Sequence, residues 1–147
     1  MRYFEDFSAG ETIELEPVTV TEAEIVEFAR RYDPQPFHID AEAAAQSAFG
    51  GLIASGWHTA ALFMSTFVGS ILADSASMGS PGIEELRWTA PVRPGDTLTG
   101  RVTIADVQPS SKRADRGTVF TECEVRNQDG ARVMTMKART YFGRRPV

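Results

Sequence analysis

Cysteine, histidine and net positive charge are all scarce in this sequence, and each shortage removes a class of protein. One cysteine, Cys123, stands among 147 residues, so no disulfide can close within the chain. The two histidines, His38 and His58, form no cluster with zinc-ligand spacing, and no metal site is expected. Lys and Arg total 15 against 20 Asp and Glu, a net charge of −5 that disfavours a general nucleic-acid binder. No long uninterrupted apolar run exists. The most apolar region, Gly51 to Ala73, is broken by Ser55, Gly56, His58, Thr59, Ser65, Thr66, Gly69 and Ser70, which fits a buried helix better than a membrane span. The acidic and aromatic stretch Met1–Gly10 lacks the pattern of a secretory signal. Repeats and low-complexity tracts are missing too. What is left is a soluble, cytoplasmic protein with one domain over residues 1–147, large enough to bury roughly two-thirds of its unfolded surface without a staple.

The elements read in order along the chain. Residues 11–20 alternate loosely and favour a strand, with Pro17 marking an edge or a bulge. Thr21 and Glu24 form a capping box for a helix carrying Ile25, Phe28 and Ala29, which should stop near Tyr32 because Pro34 restricts Asp33. The segment YDPQPFHID holds two prolines and reads as a stiffened, non-helical loop, after which Asp40 caps a short helix through Ala41–Gln46. From Gly56 onward Trp57, Ala60, Ala61, Met64, Phe67, Val68, Ile71 and Leu72 recur at helical spacing, predicting one long helix to Ala73 wrapped by other structure. Four strands then follow as a meander: Ile83–Val92, Thr97–Val107, Thr118–Arg126 and Arg132–Phe142. A basic loop, Gln108–Gly117, separates the second and third, and a turn at Asn127–Gly130 joins the last two. The layout is α+β, an antiparallel sheet around a central helix.

Asp33 and His38 are the sharpest candidates for chemistry. A carboxylate and an imidazole five positions apart on a stiff loop can supply a base and a proton donor to one water. Read by themselves they also fit a turn residue and a packed loop histidine. Gly56 opens the long helix, where free amides and the positive dipole end can stabilise an oxyanion; it also fits a glycine needed for close packing.

Taken together, YDPQPFHID and AEAAAQSAFGGLIASGWHT resemble the MaoC-like dehydratase family, which includes (R)-specific enoyl-CoA hydratases. The matching positions are Asp33, Pro36, His38, Asp40, Ala43 to Ala45, Phe49-Gly50 and Gly56. The resemblance covers about 30 residues closely and implies a hotdog fold, with the sheet wrapped round the helix Gly56–Ala73. It implies a homodimer or higher homo-oligomer joined through its sheets, an acyl-CoA substrate along the contact, and no metal or redox cofactor. The implied reaction is reversible syn addition of water to a trans-2-enoyl thioester, giving an (R)-3-hydroxyacyl product. Asp33 would be the principal base, His38 its partner, and the Gly56 amide the oxyanion donor. Three positions depart from the family pattern: Gln35 replaces a usual Asn, Ser55 a common His, and Met64 a serine found in some hydratases.

Gln35, Ser55, Trp57 and His58 are accordingly candidates to touch substrate, His58 being equally readable as a packed residue. Lys112 and Arg113, in the loop SSKRADRG, are candidates for coenzyme A phosphates or members of an ordinary solvated loop. Arg87 or Arg93 could in principle meet a second carboxylate on the substrate, an option that nothing in the sequence selects. A hotdog acyl-CoA thioesterase is the enzymatic alternative, although such enzymes often carry an acid on the central helix and Gly56–Ala73 has none. A non-catalytic acyl-CoA binder is the third reading.

Overall fold

A computed structural model describes all of residues 1–147. The first β segment is not one strand but two, β1 (Thr12–Glu14) and β2 (Val18–Thr19), lying along the same edge of β4 (Thr97–Pro109). Glu14 faces Arg101 and Val18 faces Leu98, so four steps on one side match three on the other, and the extra residue falls in the stretch containing Pro17. A proline has no N–H for the ladder, which places the irregularity there.

Helix α1 (Glu22–Tyr32) begins as expected: Thr21 Oγ1 accepts from the Glu24 amide at 3.2 Å, and the Glu24 carboxylate reaches back to the Thr21 amide. Ile25 and Ala29 are fully buried beneath it. The two-proline segment departs from expectation, because Pro36 starts a four-residue helix, α2 (Pro36–Ile39). At the first helical position the missing N–H costs nothing and the fixed φ is already helical. Asp40 then caps α3 (Ala41–Ala45), its Oδ1 accepting from the amides of Glu42 at 3.0 Å and Ala43 at 3.2 Å.

The long helix is regular only over α4 (Gly56–Phe67) and continues as a π-helical turn, Val68–Leu72. Phe63, Phe67 and Ile71 face the sheet and are buried. The helix is not wrapped all round: Trp57 is 59% exposed, Met64 43% and Val68 40%.

Three more strands complete the sheet: β3 (Gly82–Trp88), β5 (Arg116–Arg126) and β6 (Arg132–Gly143). The order is β1-β4-β5-β6-β3, all neighbours antiparallel. The last four strands are therefore not a simple meander. β4, β5 and β6 follow one another, whereas β3 lies at the far edge against β6. Its link to β4 cannot form a tight hairpin, because it carries Pro91 and Pro94 and passes beneath the head of α4, where the Ala54 amide donates to the Val92 carbonyl at 2.8 Å. β4 runs two residues further than expected and β5 starts two earlier, which shortens the basic loop to residues 110–115.

Register places Ile13, Val102, Cys123, Met136 and Leu86 side by side across five strands. This row belongs to the apolar layer beneath the helix, with Val102, Cys123 and Met136 buried. The β5–β6 hairpin closes as its sequence foretells: Asn127 Oδ1 accepts from the amides of Asp129 and Ala131, and Gly130 takes a φ of +78° that side chains resist. An antiparallel sheet curled round one central helix is the hotdog arrangement. No helix is long and apolar enough to cross a membrane.

Candidate active site

Asp33 emerges from the C-terminus of α1, fixed by its own amide donating to the Ala29 carbonyl at 2.8 Å. His38 comes from α2, and the two side chains meet with Nε2 3.3 Å from Oδ2. The prolines explain how so short a segment holds this pair: Pro34 stops α1 and Pro36 starts α2, so Asp33 caps one helix and His38 sits within the next rather than on a free loop.

The imidazole is held from behind. Nδ1 lies 2.7 Å from the Ile53 carbonyl, and because a carbonyl can only accept, the Nδ1 hydrogen is assigned to that bond. With Nδ1 so engaged, Nε2 is the ring nitrogen turned toward Oδ2 and free to exchange a proton at the cavity.

The carboxylate is held as well. Oδ1 accepts from Gln35 Nε2 and Oδ2 from Ser55 Oγ, each at 2.7 Å. Burial pushes the Asp33 carboxyl up, but the bonds from Gln35 and Ser55, with the positive charge His38 can carry, outweigh it and hold the group below its ordinary range. Asp33 is therefore an anion across neutral pH. His38 is only 5% exposed, while the Asp33 side chain keeps 19% of its surface open.

The dyad borders a cavity of about 490 Å³. Phe37, Phe49, Trp57, Trp88, Pro91 and Val92 give it an apolar wall, and Gly56 contributes the first turn of α4, where Ser55 takes the Trp57 and His58 amides and leaves the Gly56 amide for a ligand. Glycine is required at that point by packing. A Cβ on residue 56 would lie 2.5 Å from Trp88 Cδ2 and 2.8 Å from its Nε1. Trp57 meets the same indole edge-on at 5.1 Å.

The structure thus brings together Asp33, Gln35, His38, Gly56 and Trp57 from among the expected residues. Ser55 and His58 are corrections. Ser55 is completely buried outside the cavity wall and reaches Asp33 rather than a substrate. His58 turns the other way, stacked on Phe28 at 4.7 Å with Nδ1 unpartnered, since its helical position faces α1 and not the cavity. Burial pushes the His58 pKa down, partly opposed by the Glu24 carboxylate.

Lys112 and Arg113 are not brought to this cavity either. Their loop adjoins the end of β6, where the Arg144 amide donates to Asp115, whereas the cavity lies by the start of β6, where the Thr89 amide donates to Val133. About ten strand residues separate the two places, roughly 30 Å. Arg93 and Arg87 do not line this cavity: Arg93 donates to the Phe49 carbonyl at 2.6 Å and Arg87 pairs with Glu85. Trp88, Phe37 and the Ile53 carbonyl were missed by sequence reasoning. Only Trp88, a large aromatic residue on an expected strand, offered a signal.

Similar proteins define the family and the fold. The model of the MaoC like domain matches residues 6–127, and the chain belongs to that family. A MaoC-like dehydratase from Rhodospirillum rubrum has a similar solved structure, with TM-score 0.91, 42% identity and 99% of each chain covered. The chain is also 32% identical over 126 residues to an (R)-specific enoyl-CoA hydratase from Rhodospirillum rubrum, covering 85% of this chain and 83% of that protein. A 3-hydroxybutyryl-CoA dehydratase from Methylorubrum extorquens is 34% identical over 113 residues, covering 76% and 69% respectively.

Proposed function

We propose that the protein is a hydro-lyase that adds water reversibly across the double bond of trans-2-enoyl-CoA, giving (R)-3-hydroxyacyl-CoA. The observation that carries this reading is the Asp33–His38 pair, 3.3 Å apart on the wall of an apolar cavity, beside the helix terminus at Gly56. The thioester oxygen sits at the Gly56 amide, where the positive end of α4 draws charge from the conjugated system and makes C3 electrophilic. Asp33 takes a proton from water as its oxygen bonds to C3. His38 Nε2 gives its proton to C2, and the double-bond electrons form the new C–H bond. Asp33 then carries the proton taken from water, and passing it to His38 across the 3.3 Å contact restores the pair. Both groups act from one wall, which supports syn addition.

Coenzyme A is part of the substrate here, and no separate cofactor enters any step. The unpaired outer edge of β3, with Ile83 half exposed, and the open side chains of Trp57, Met64 and Val68 on the central helix support a homodimer joined edge to edge. The test is a spectrophotometric assay with crotonyl-CoA, following loss of the conjugated thioester absorbance while titrating free thiol. Absorbance loss without thiol release is expected. Thiol release would instead show a thioesterase.

A further inference from the structure

Ser55 has no surface at all and does not border the cavity, yet both of its hydrogen-bonding roles point at the site. As the residue that caps α4, it accepts the Trp57 amide on Oγ at 3.3 Å. Its one hydroxyl hydrogen goes to Asp33 Oδ2 at 2.7 Å, a direction fixed because an ionised carboxylate can only accept. This bond spans 22 residues of sequence and joins the end of α1, which carries Asp33, to the head of α4, which carries Gly56. Gln35 holds the other carboxylate oxygen from within the Asp33 turn itself, so it cannot fix Asp33 relative to α4. Ser55 is the side chain that does so.

We propose that Ser55 is a positioning residue: its hydroxyl ties the Asp33 carboxylate to the N-terminus of α4, so that the base and the Gly56 amide are held in one frame. Both must act on the same acyl unit at once, the first on water at C3 and the second on the thioester oxygen. Their separation therefore decides whether the bound enoyl group lies within reach of the water. This rests on the hydratase reading above. It adds to that reading a residue that never touches substrate and acts only through Asp33.

The test separates capping from tethering. Ser55→Gly removes the hydroxyl but leaves a residue nearly as good at a helix N-cap, whereas Ser55→Ala removes both. Asp33 is titrated directly, by carbon-13 NMR of labelled aspartate carboxyls with Asp33→Asn identifying the resonance. In parallel, kcat and KM for crotonyl-CoA are measured against pH. In both variants the Asp33 titration and the acid limb of kcat/KM should move to higher pH. We expect kcat to fall about 10- to 100-fold with KM unchanged, as a misplaced base rather than a lost binding contact requires. A folded Ser55→Gly protein with an unmoved Asp33 titration and an unmoved acid limb overturns the proposal. A wild-type protein inactive on crotonyl-CoA, with the Asp33 titration still moved in Ser55→Gly, supports the tie and overturns the hydratase reading instead.

Discussion

Alanine at position 56 distinguishes a glycine required by packing from one that merely ends a loop. Gly56 does not use a left-handed backbone conformation, so alanine fits the local dihedral angles. In a helix, alanine is favoured over glycine by about 0.5–1 kcal/mol, so without neighbours the substitution would be neutral or stabilising. The neighbour reverses the sign. The new methyl would fall 2.5 Å from Trp88 Cδ2. Carbon atoms pack at about 3.5–4.0 Å, so the ring must retreat by roughly 1 Å. Overpacking of this kind costs about 1–3 kcal/mol. Because Trp88 is 43% exposed and has room to swing, the lower half of that range applies. Gly56→Ala should therefore lower stability by about 1 kcal/mol in urea unfolding with an unchanged m-value. In a Trp88→Ala background the same change should cost nothing or stabilise, a coupling of about 1–2 kcal/mol. A Gly56→Ala protein at least as stable as the wild type, with Trp88 present, would refute the reasoning.

Three further outcomes follow from the side chains described. His58 is neutral in the fold because burial lowers its pKa, so its contribution to stability is complete above its unfolded value of about 6.5 and is lost as pH falls below that. His58→Leu should show a smaller fall in stability between about pH 7 and pH 5 than the wild type, measured by urea unfolding; an identical fall would contradict this. Cys123 is buried and its thiol is pushed up to about 11, so an aromatic disulfide reagent should find no thiol in the native protein and one after unfolding. Asp33→Asn and His38→Ala should each lower kcat for crotonyl-CoA by about 10²- to 10⁴-fold without changing the melting temperature by more than a few degrees, and a near-normal rate in either would remove that residue from the chemistry.

What the sequence made legible was mostly local. The Thr21–Glu24 box, the Asp40 cap and the Asn127–Gly130 turn each rest on contacts spanning four residues or fewer, and each was readable from residue type and spacing. Asp33 and His38 were legible through the family motif as much as through their own chemistry. The features that misled are long-range. Nothing near β3 says that it pairs with β6 rather than β4, because that choice is made by where its link passes under α4. The tie from Ser55 to Asp33 and the indole over Gly56 join residues far apart in sequence. His58 and Ser55 both looked placed for substrate because they flank Gly56. Two residues of helix, about 200° of rotation, carry His58 to the opposite side, and the cap buries Ser55. Lys112 and Arg113 were judged by charge, while the length of β6 decides their distance from the cavity.

The account stands most directly on Asp33 and His38 serving one face of the substrate from one wall. Hydration of crotonyl-CoA in heavy water, with the configuration of the product read by NMR, tests this in one experiment. It should give a single deuterium at C2, syn to the new hydroxyl at C3, in a product whose formation falls by about 10²-fold or more in Asp33→Asn. Anti addition, a mixture of diastereomers, or a rate indifferent to Asp33 would contradict it.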